Sequence, residues 1–288
     1  MFPIIGLVVV FGMVFGGFVL AGGHFDVIVA AAPMEFMMIF GAAVGATIIS
    51  NDMTGLKGLI GGLGSVLSGP KWGKKDYSDL LALLFQLTKT MKTKGVVALE
   101  AHIENPKDSN IFQKYPKLLK DHFVVDFICD TLRMMTMNLD DPHQVEDAME
   151  KQLEKHHHEA AHGGHALQTM ADGLPALGIV AAVLGIVKTM GAISEPPEVL
   201  GLLIGKALVG TFLGVFLAYG IVGPMAARLN DIVEHDAQFY KIIRDVLVAH
   251  LHGNAAQVSV EIGRGSVPSA HQPSFAQLEE TLNAATES

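Results

Sequence analysis

Thr211 is a polar side chain inside a long apolar stretch that could face a carboxylate carrying a proton or a small cation. It interrupts the apolar run Ala207-Leu208-Val209-Gly210-Thr211-Phe212-Leu213-Gly214. A hydroxyl can donate to a carboxylate or accept from a protonated one. The plainer alternative is a Thr bonded back to a carbonyl of its own helix. Moving a proton through an apolar medium ordinarily needs a titratable carboxylate at depth as well. The long apolar stretches of this chain carry none in their interiors, and Glu35 falls at an end of one. If an ion crosses here, a partner must supply the acid.

Other titratable groups read more plainly. Lys188 and Lys206 lie within apolar stretches, where a centrally placed Lys costs about 2.5–3.5 kcal/mol. Both are expected to snorkel outward, away from a cation path or near its mouth with Glu195 or Glu198. The run His156-His157-His158, with His162 and His165, invites a metal reading, since His158 and His162 are four apart. Flanking Glu and Lys favour a solvated helix instead. Lys89, Lys92 and Lys94 read as a solvated helix face. Cys129 sits in Phe127-Ile128-Cys129 and reads as a buried reduced thiol. No nucleophile–base set, phosphate loop or metal motif stands out, so neither an enzyme nor a cofactor is expected.

The elements that must position these residues follow from composition. Half of the 288 residues are hydrophobic, and the net charge is -9. The apolar share is too high for a soluble domain of this size, and the charge excludes a generally basic nucleic-acid binder. One cysteine permits no intrachain disulfide. A spanning helix needs roughly 20 apolar residues. Four segments approach that: Pro3–Leu20, Met34–Ser50 (starting after Pro33), Leu174–Ile193 and Val199–Val222. The first has no basic residue before it and no cleavage pattern, so it is expected to be retained. Ser194-Glu195-Pro196-Pro197-Glu198 makes the last two an antiparallel hairpin. The loop 51–172 holds fourteen of the twenty Lys and Arg, and the tail after Pro224 holds four. Positive charge stays inside, so both termini and the loop are expected in the cytoplasm.

The expected fold is an all-α membrane protein with four transmembrane helices and a large helical cytoplasmic domain between helices 2 and 3. Residues 1–50 carry the first two spans, 51–172 the cytoplasmic domain, 173–224 the last two spans and 225–288 a cytoplasmic tail. Within the loop, Asp76-Tyr77-Ser78-Asp79 opens one helix and Asn105-Pro106 closes the next. Apolar spacing predicts a helix over Asp121–Asn138, and Asp141-Pro142 opens another through Val145, Met149 and Leu153. Met134, Met135 and Met137 read as flexible core filling. The polar residues from Pro268 onward read as loosely attached. Pro175 and Pro224 read as a helix-start and a helix-stop proline. Small residues crowd these stretches, several at spacings of four: Gly12 and Gly16; Gly41 and Gly45; Gly201 and Gly205; Gly210 and Gly214; Gly178 and Gly185 are seven apart. Such faces permit close helix packing within one chain or a ring of several.

Several blocks, taken together, resemble the MotA family of flagellar-motor stator subunits. They are Val14-Phe15-Gly16-Gly17 with Gly22-Gly23, Asp79 to Leu84, Leu99-Glu100, Ile103-Glu104-Asn105-Pro106, Leu174 to Ala182, Ala207 to Gly214 with Pro224, and Val260 to Arg264 with Pro273-Ser274-Phe275. The resemblance implies five such subunits around a dimer of MotB, whose aspartate carries the ion, and cytoplasmic loops that push the rotor protein FliG. It implies that Thr211 and Ala182 face the ion path, that Pro175 and Pro224 couple ion flow to loop movement, and that Lys92 and Glu100 contact FliG. The family often has Arg at the first rotor position; Lys keeps the charge without the bidentate fork. Sodium-type relatives carry additional hydroxyls around the path. Ala182 and Gly210 beside a single Thr211 favour protons.

Two rival readings are an energiser of the TolQ or ExbB kind and a membrane scaffold without ion flow. The first typically has one span before its cytoplasmic domain, where this chain has two. Proton uptake with an unplugged partner would separate it from the second.

Overall fold

The structure, a computed structural model, describes residues 2–137, 139 and 141–287. The regular elements among the described residues are all helical. In chain order they are α1 (Phe2–Leu20), α2 (Asp26–Ser50), α3 (Met53–Ser68), α4 (Lys74–Lys94), α5 (Glu100–Glu104), α6 (Pro116–Leu119), α7 (His122–Thr136), α8 (Pro142–Met190), α9 (Pro197–Leu217), α10 (Gly223–Leu251), α11 (Ala256–Gly265) and α12 (Phe275–Glu287). A π turn at Ala218–Val222 joins α9 to α10. Asn138, the expected end of α7, lies outside the described residues. The helices α1, α2, α8 and the α9–α10 run are long and apolar enough to cross a membrane.

The chain divides into two compact units, Met1–Gly69 with Ala160–Ile232, and Pro70–Glu159 with Val233–Ser288. The first holds the apolar helices. Its core gathers Ile39 and Ala43 of α2, Leu167, Ala171, Leu174 and Ala181 of α8, and Ala218, Val222 and Ala226 around the π turn. Helix α1 buries no residue at all. The stripe α2 buries is Ala31, Glu35, Ile39, Ala43 and Thr47, a spacing of four that defines one helix face.

Three local expectations are corrected here. Helix α2 begins at Asp26 rather than after Pro33, which lies inside it. A proline removes one backbone donor and crowds the preceding turn. The extensive packing of α2 on α9 keeps the remaining turns helical. Pro175 likewise does not start a helix: it lies inside the 49-residue α8. Pro224 does not stop one. The chain stays helical through the π turn, where Gly223 N–H donates to the Ala218 carbonyl five residues back, the shifted pattern typical of π bulges.

The second unit is built on local capping signals. Asp76 accepts from Gly73 N–H at 2.8 Å and closes the start of α4, while its carboxylate pairs with Lys117. Asp121 accepts from Val124 N–H at 2.8 Å and caps α7. The Trp72 ring stacks on Phe239 at 4.1 Å, with the ammonium groups of Lys71 and Lys117 over its ring. Cys129 is buried in this core, and burial pushes its thiol up to about 12. The expectation of a loose tail fails. Leu278 and Leu282 of α12 are buried, and the Gln86 amide donates to the Ala285 carbonyl at 2.9 Å. The apolar pair, four apart on one face, docks the segment, with Ala285 packed beside it.

Candidate functional site

Helices α2, α8 and α9 meet where their side chains are smallest. A Cβ added to Gly178 of α8 would lie 2.8 Å from the Gly210 carbonyl oxygen and 3.0 Å from the Gly214 Cα. One added to Gly214 would lie 2.7 Å from the Leu174 carbonyl oxygen. The two backbones are therefore in direct contact, which only hydrogen atoms at these positions allow. One heptad further along α8, Gly185 faces Ala207 in the same way. The small faces of α8 and α9 pair within the chain. Those of α1 and α2 do not: Gly12, Gly16, Gly17, Gly41 and Gly45 meet nothing within 4 Å.

This junction packs Gly210, the chain neighbour of Thr211, against Ala182. A Cβ on Gly210, the residue before Thr211, would sit 3.2 Å from the Ala182 backbone nitrogen. Ala182 is buried and Thr211 half-buried. Thr47 and Thr189 each return their hydroxyl to the carbonyl four residues back, at 2.8 and 2.9 Å. Among the described residues the Thr211 hydroxyl makes no such bond. It is the hydroxyl of α9 left available to another molecule.

The sequence reading missed one group here. The sequence puts Glu35 at the end of a span, but α2 extends nine residues before it, and Glu35 lies within the helix. It is 7% exposed. Its Oε2 would be 2.6 Å from a Cβ on Gly210, so the missing side chain makes room for the carboxyl. The statement that no acid lies inside an apolar helix is thus overturned. The signal was available: Ala31, Glu35, Ile39, Ala43 and Thr47 form a single stripe at intervals of four.

Pro175 and Pro224 flank this junction along the chain. Leu174, beside Pro175, is the residue whose carbonyl touches Gly214. Pro224 is exposed next to the π turn and lines a cavity with Pro3, Leu7, Val66 and Tyr219. Lys188 is exposed and Lys206 half-buried. Neither pairs with Glu195 or Glu198 among the described residues.

The remaining charged candidates lie in the second unit. Lys92, in the last turn of α4, is exposed, and its ammonium donates to the Gly253 and Asn254 carbonyls at 3.3 and 3.4 Å. Glu100 is exposed at the start of α5. No ion pair joins the two among the described residues. The His run is partly absorbed by packing: His156 stacks on Phe123 at 3.6 Å and meets Tyr240 edge-on. His157 lies 3.2 Å from Glu234.

Known proteins share this architecture and sequence. Residues 4–95 match the profile of the Motility protein A N-terminal region, and residues 120–241 match that of the MotA/TolQ/ExbB proton channel family. Motility protein A of Salmonella typhimurium is 38% identical over 284 residues, covering 99% of this chain and 96% of the relative. The structure of C. jejuni MotAB aligns with a TM-score of 0.73 at 17% identity, over 93% of this chain and 95% of that one. The flagellar MotAB stator complex of Bacillus subtilis aligns with a TM-score of 0.70 at 20% identity, over 90% and 92%.

Proposed function

The chain belongs to the Motility protein A family, and on that premise we propose how it works as a stator subunit of the flagellar motor. It sits in the bacterial inner membrane with both termini in the cytoplasm. It joins MotB, passes protons along the shared path, and turns their flow into torque on the rotor protein FliG. The observation that carries this reading is the α8–α9 junction. Backbone contact at Gly178 and Gly214, and of Gly210 with Ala182, supports a path at this level, where the Thr211 hydroxyl next along α9 is left unbonded among the described residues.

The chemistry asked of this chain is modest. A partner's aspartate is charged before it takes a proton and neutral after. The Thr211 hydroxyl donates to it in the first state and accepts from it in the second. Ala182 adds no competing polar group. The change of charge biases helices that already have weak points. Pro175 lacks a backbone donor within α8, and the π turn before Pro224 has shifted hydrogen bonding. Bending is cheapest at such places, so ion binding is coupled there to movement of the charged unit. Exposed Lys92 and Glu100 present opposite charges to FliG. The apolar surface of α1, with its uncovered glycines, supports lateral contact with lipid or sibling subunits in a pentamer around a MotB dimer.

The test is complementation of a non-motile strain lacking its own A subunit, with proton uptake measured on co-expression with an unplugged MotB. Restored swimming and uptake, both lost in Thr211→Ala and retained in Thr211→Ser, are expected. Absence of uptake from the parent chain refutes the reading. Speed that collapses in sodium-free medium refutes the choice of ion.

A further inference from the structure

Glu35 is a carboxyl group in a place where an idle one is costly. It lies nine residues into α2, about 14 Å along the helix from its start and about 22 Å from its end. In an apolar layer about 30 Å thick that is well below either surface. The neighbouring helix runs the same way: Val27 approaches Gly205 and Glu35 approaches Gly210. Glu35 is therefore level with Thr211.

Its surroundings leave it without a fixed counter-charge. The carboxyl faces Gly210 of α9, and Ala181 and Ala182 of α8 line the same spot. Charged groups along the apolar stretches of the packed helices are Lys206 of α9 and Lys188 of α8, with Glu198 of α9, Asp172 of α8 and Asp26 of α2 itself towards the ends. None forms an ion pair with Glu35 among the described residues. Its Oε2 is fully buried and has no hydrogen-bond partner among them. A buried polar atom left unsatisfied costs about 1–3 kcal/mol, more if charged, and Gln or an apolar residue would fill the same face more cheaply. An acid kept at depth in a membrane helix ordinarily serves an ion pathway.

We propose that Glu35 is a proton-holding residue of the ion path, so that this chain supplies a titratable carboxyl of its own beside Thr211. The inference rests on the proton-conducting reading above. The proton passes from a protonated carboxyl of the partner, or from water it has released, onto the Glu35 carboxylate. An O–H bond breaks on the donor and one forms on Glu35. The proton then leaves to water on the cytoplasmic side and the carboxylate is restored. No other bond changes and nothing is oxidised or reduced.

The experiment uses the full chain co-expressed with an unplugged MotB, reading proton influx, swimming speed and membrane level together. Glu35→Gln keeps the shape and the contact with Gly210 but cannot exchange a proton. It is expected to reach the membrane normally and to lose roughly tenfold or more of the influx, the scale of removing one proton-transfer group. Glu35→Asp is expected to conduct with a shifted pH profile. pH-difference infrared spectra of the purified complex should contain a carboxyl band that Glu35→Gln removes. Parental influx in Glu35→Gln overturns the inference. If Glu35→Gln does not accumulate, an unshifted profile in Glu35→Asp overturns it. Loss of uptake in Thr211→Ala with parental uptake in Glu35→Gln sinks this inference alone. A parent chain that does not conduct sinks the proton-conducting reading, and this one with it.

Discussion

Gly214→Ala puts the α8–α9 junction to a quantitative test. The new methyl would lie 2.7 Å from the Leu174 carbonyl oxygen, 2.8 Å from the Gly178 Cα and 3.1 Å from the Gly178 nitrogen. All three are backbone atoms, so no side chain can swing aside. Comfortable carbon contacts begin near 3.5–4.0 Å. The helices must therefore separate by about 1 Å, or the bundle must absorb the overlap as strain. Overpacking of this kind typically costs about 1–3 kcal/mol, and the upper part of that range is expected because both partners are rigid. The displaced backbone also carries Gly210 and Thr211, so ion flow should fall more than the amount of protein in the membrane. Gly61→Ala and Gly64→Ala in α3 are the controls, since a methyl at either meets nothing within 4 Å in this chain. The assay is thermal unfolding in detergent together with swimming speed. Parental stability and speed in Gly214→Ala would refute the argument that backbone contact sets this junction.

Three other outcomes are expected. Lys92→Glu should impair swimming while leaving membrane insertion intact, because its bonds among the described residues are long, exposed ones to the Gly253 and Asn254 carbonyls; unchanged motility, even with weakened rotor charges, contradicts the assignment. Cys129, buried and with its thiol pushed up to about 12, should resist maleimide in the folded protein at pH 8 and label fully in denaturant, as counted by mass spectrometry. Burial, reinforced by Lys94, holds the His102 imidazole below its usual range. The unfolded chain then takes up a proton first, so the stability His102 contributes is present above about pH 6.5 and is lost as pH falls towards its folded value. Thermal unfolding followed against pH should show a steeper acid slope in the parent than in His102→Gln.

Much of this molecule is legible in its sequence because the signals are local. Four apolar stretches name four helices capable of crossing a membrane, since hydrocarbon tolerates little else. Asp76 and Asp121 mark helix starts because a carboxylate satisfies backbone donors within three residues of itself. The family, too, is legible in Ala207–Gly214 and Leu174–Ala182, where close packing of α8 on α9 needs small residues.

What only the tertiary structure decided depends on partners distant in sequence. A proline states which donor is missing, and says nothing of whether the turns on either side persist. Packing of α2 on α9 keeps Pro33 inside a helix, and the π turn lets the chain pass Pro224 without a break. Leu278 and Leu282 of α12, with Ala285, dock a largely polar segment once a core exists to receive them. Glu35 shows the difference most sharply. Its residue type and its distance from Pro33 place it at a helix end, where a carboxylate is ordinary. Burial against Gly210 places it level with Thr211 inside the bundle. Hydropathy measures one segment at a time, whereas the cost of a buried charge, and the use to which it can be put, is set by the neighbouring helices.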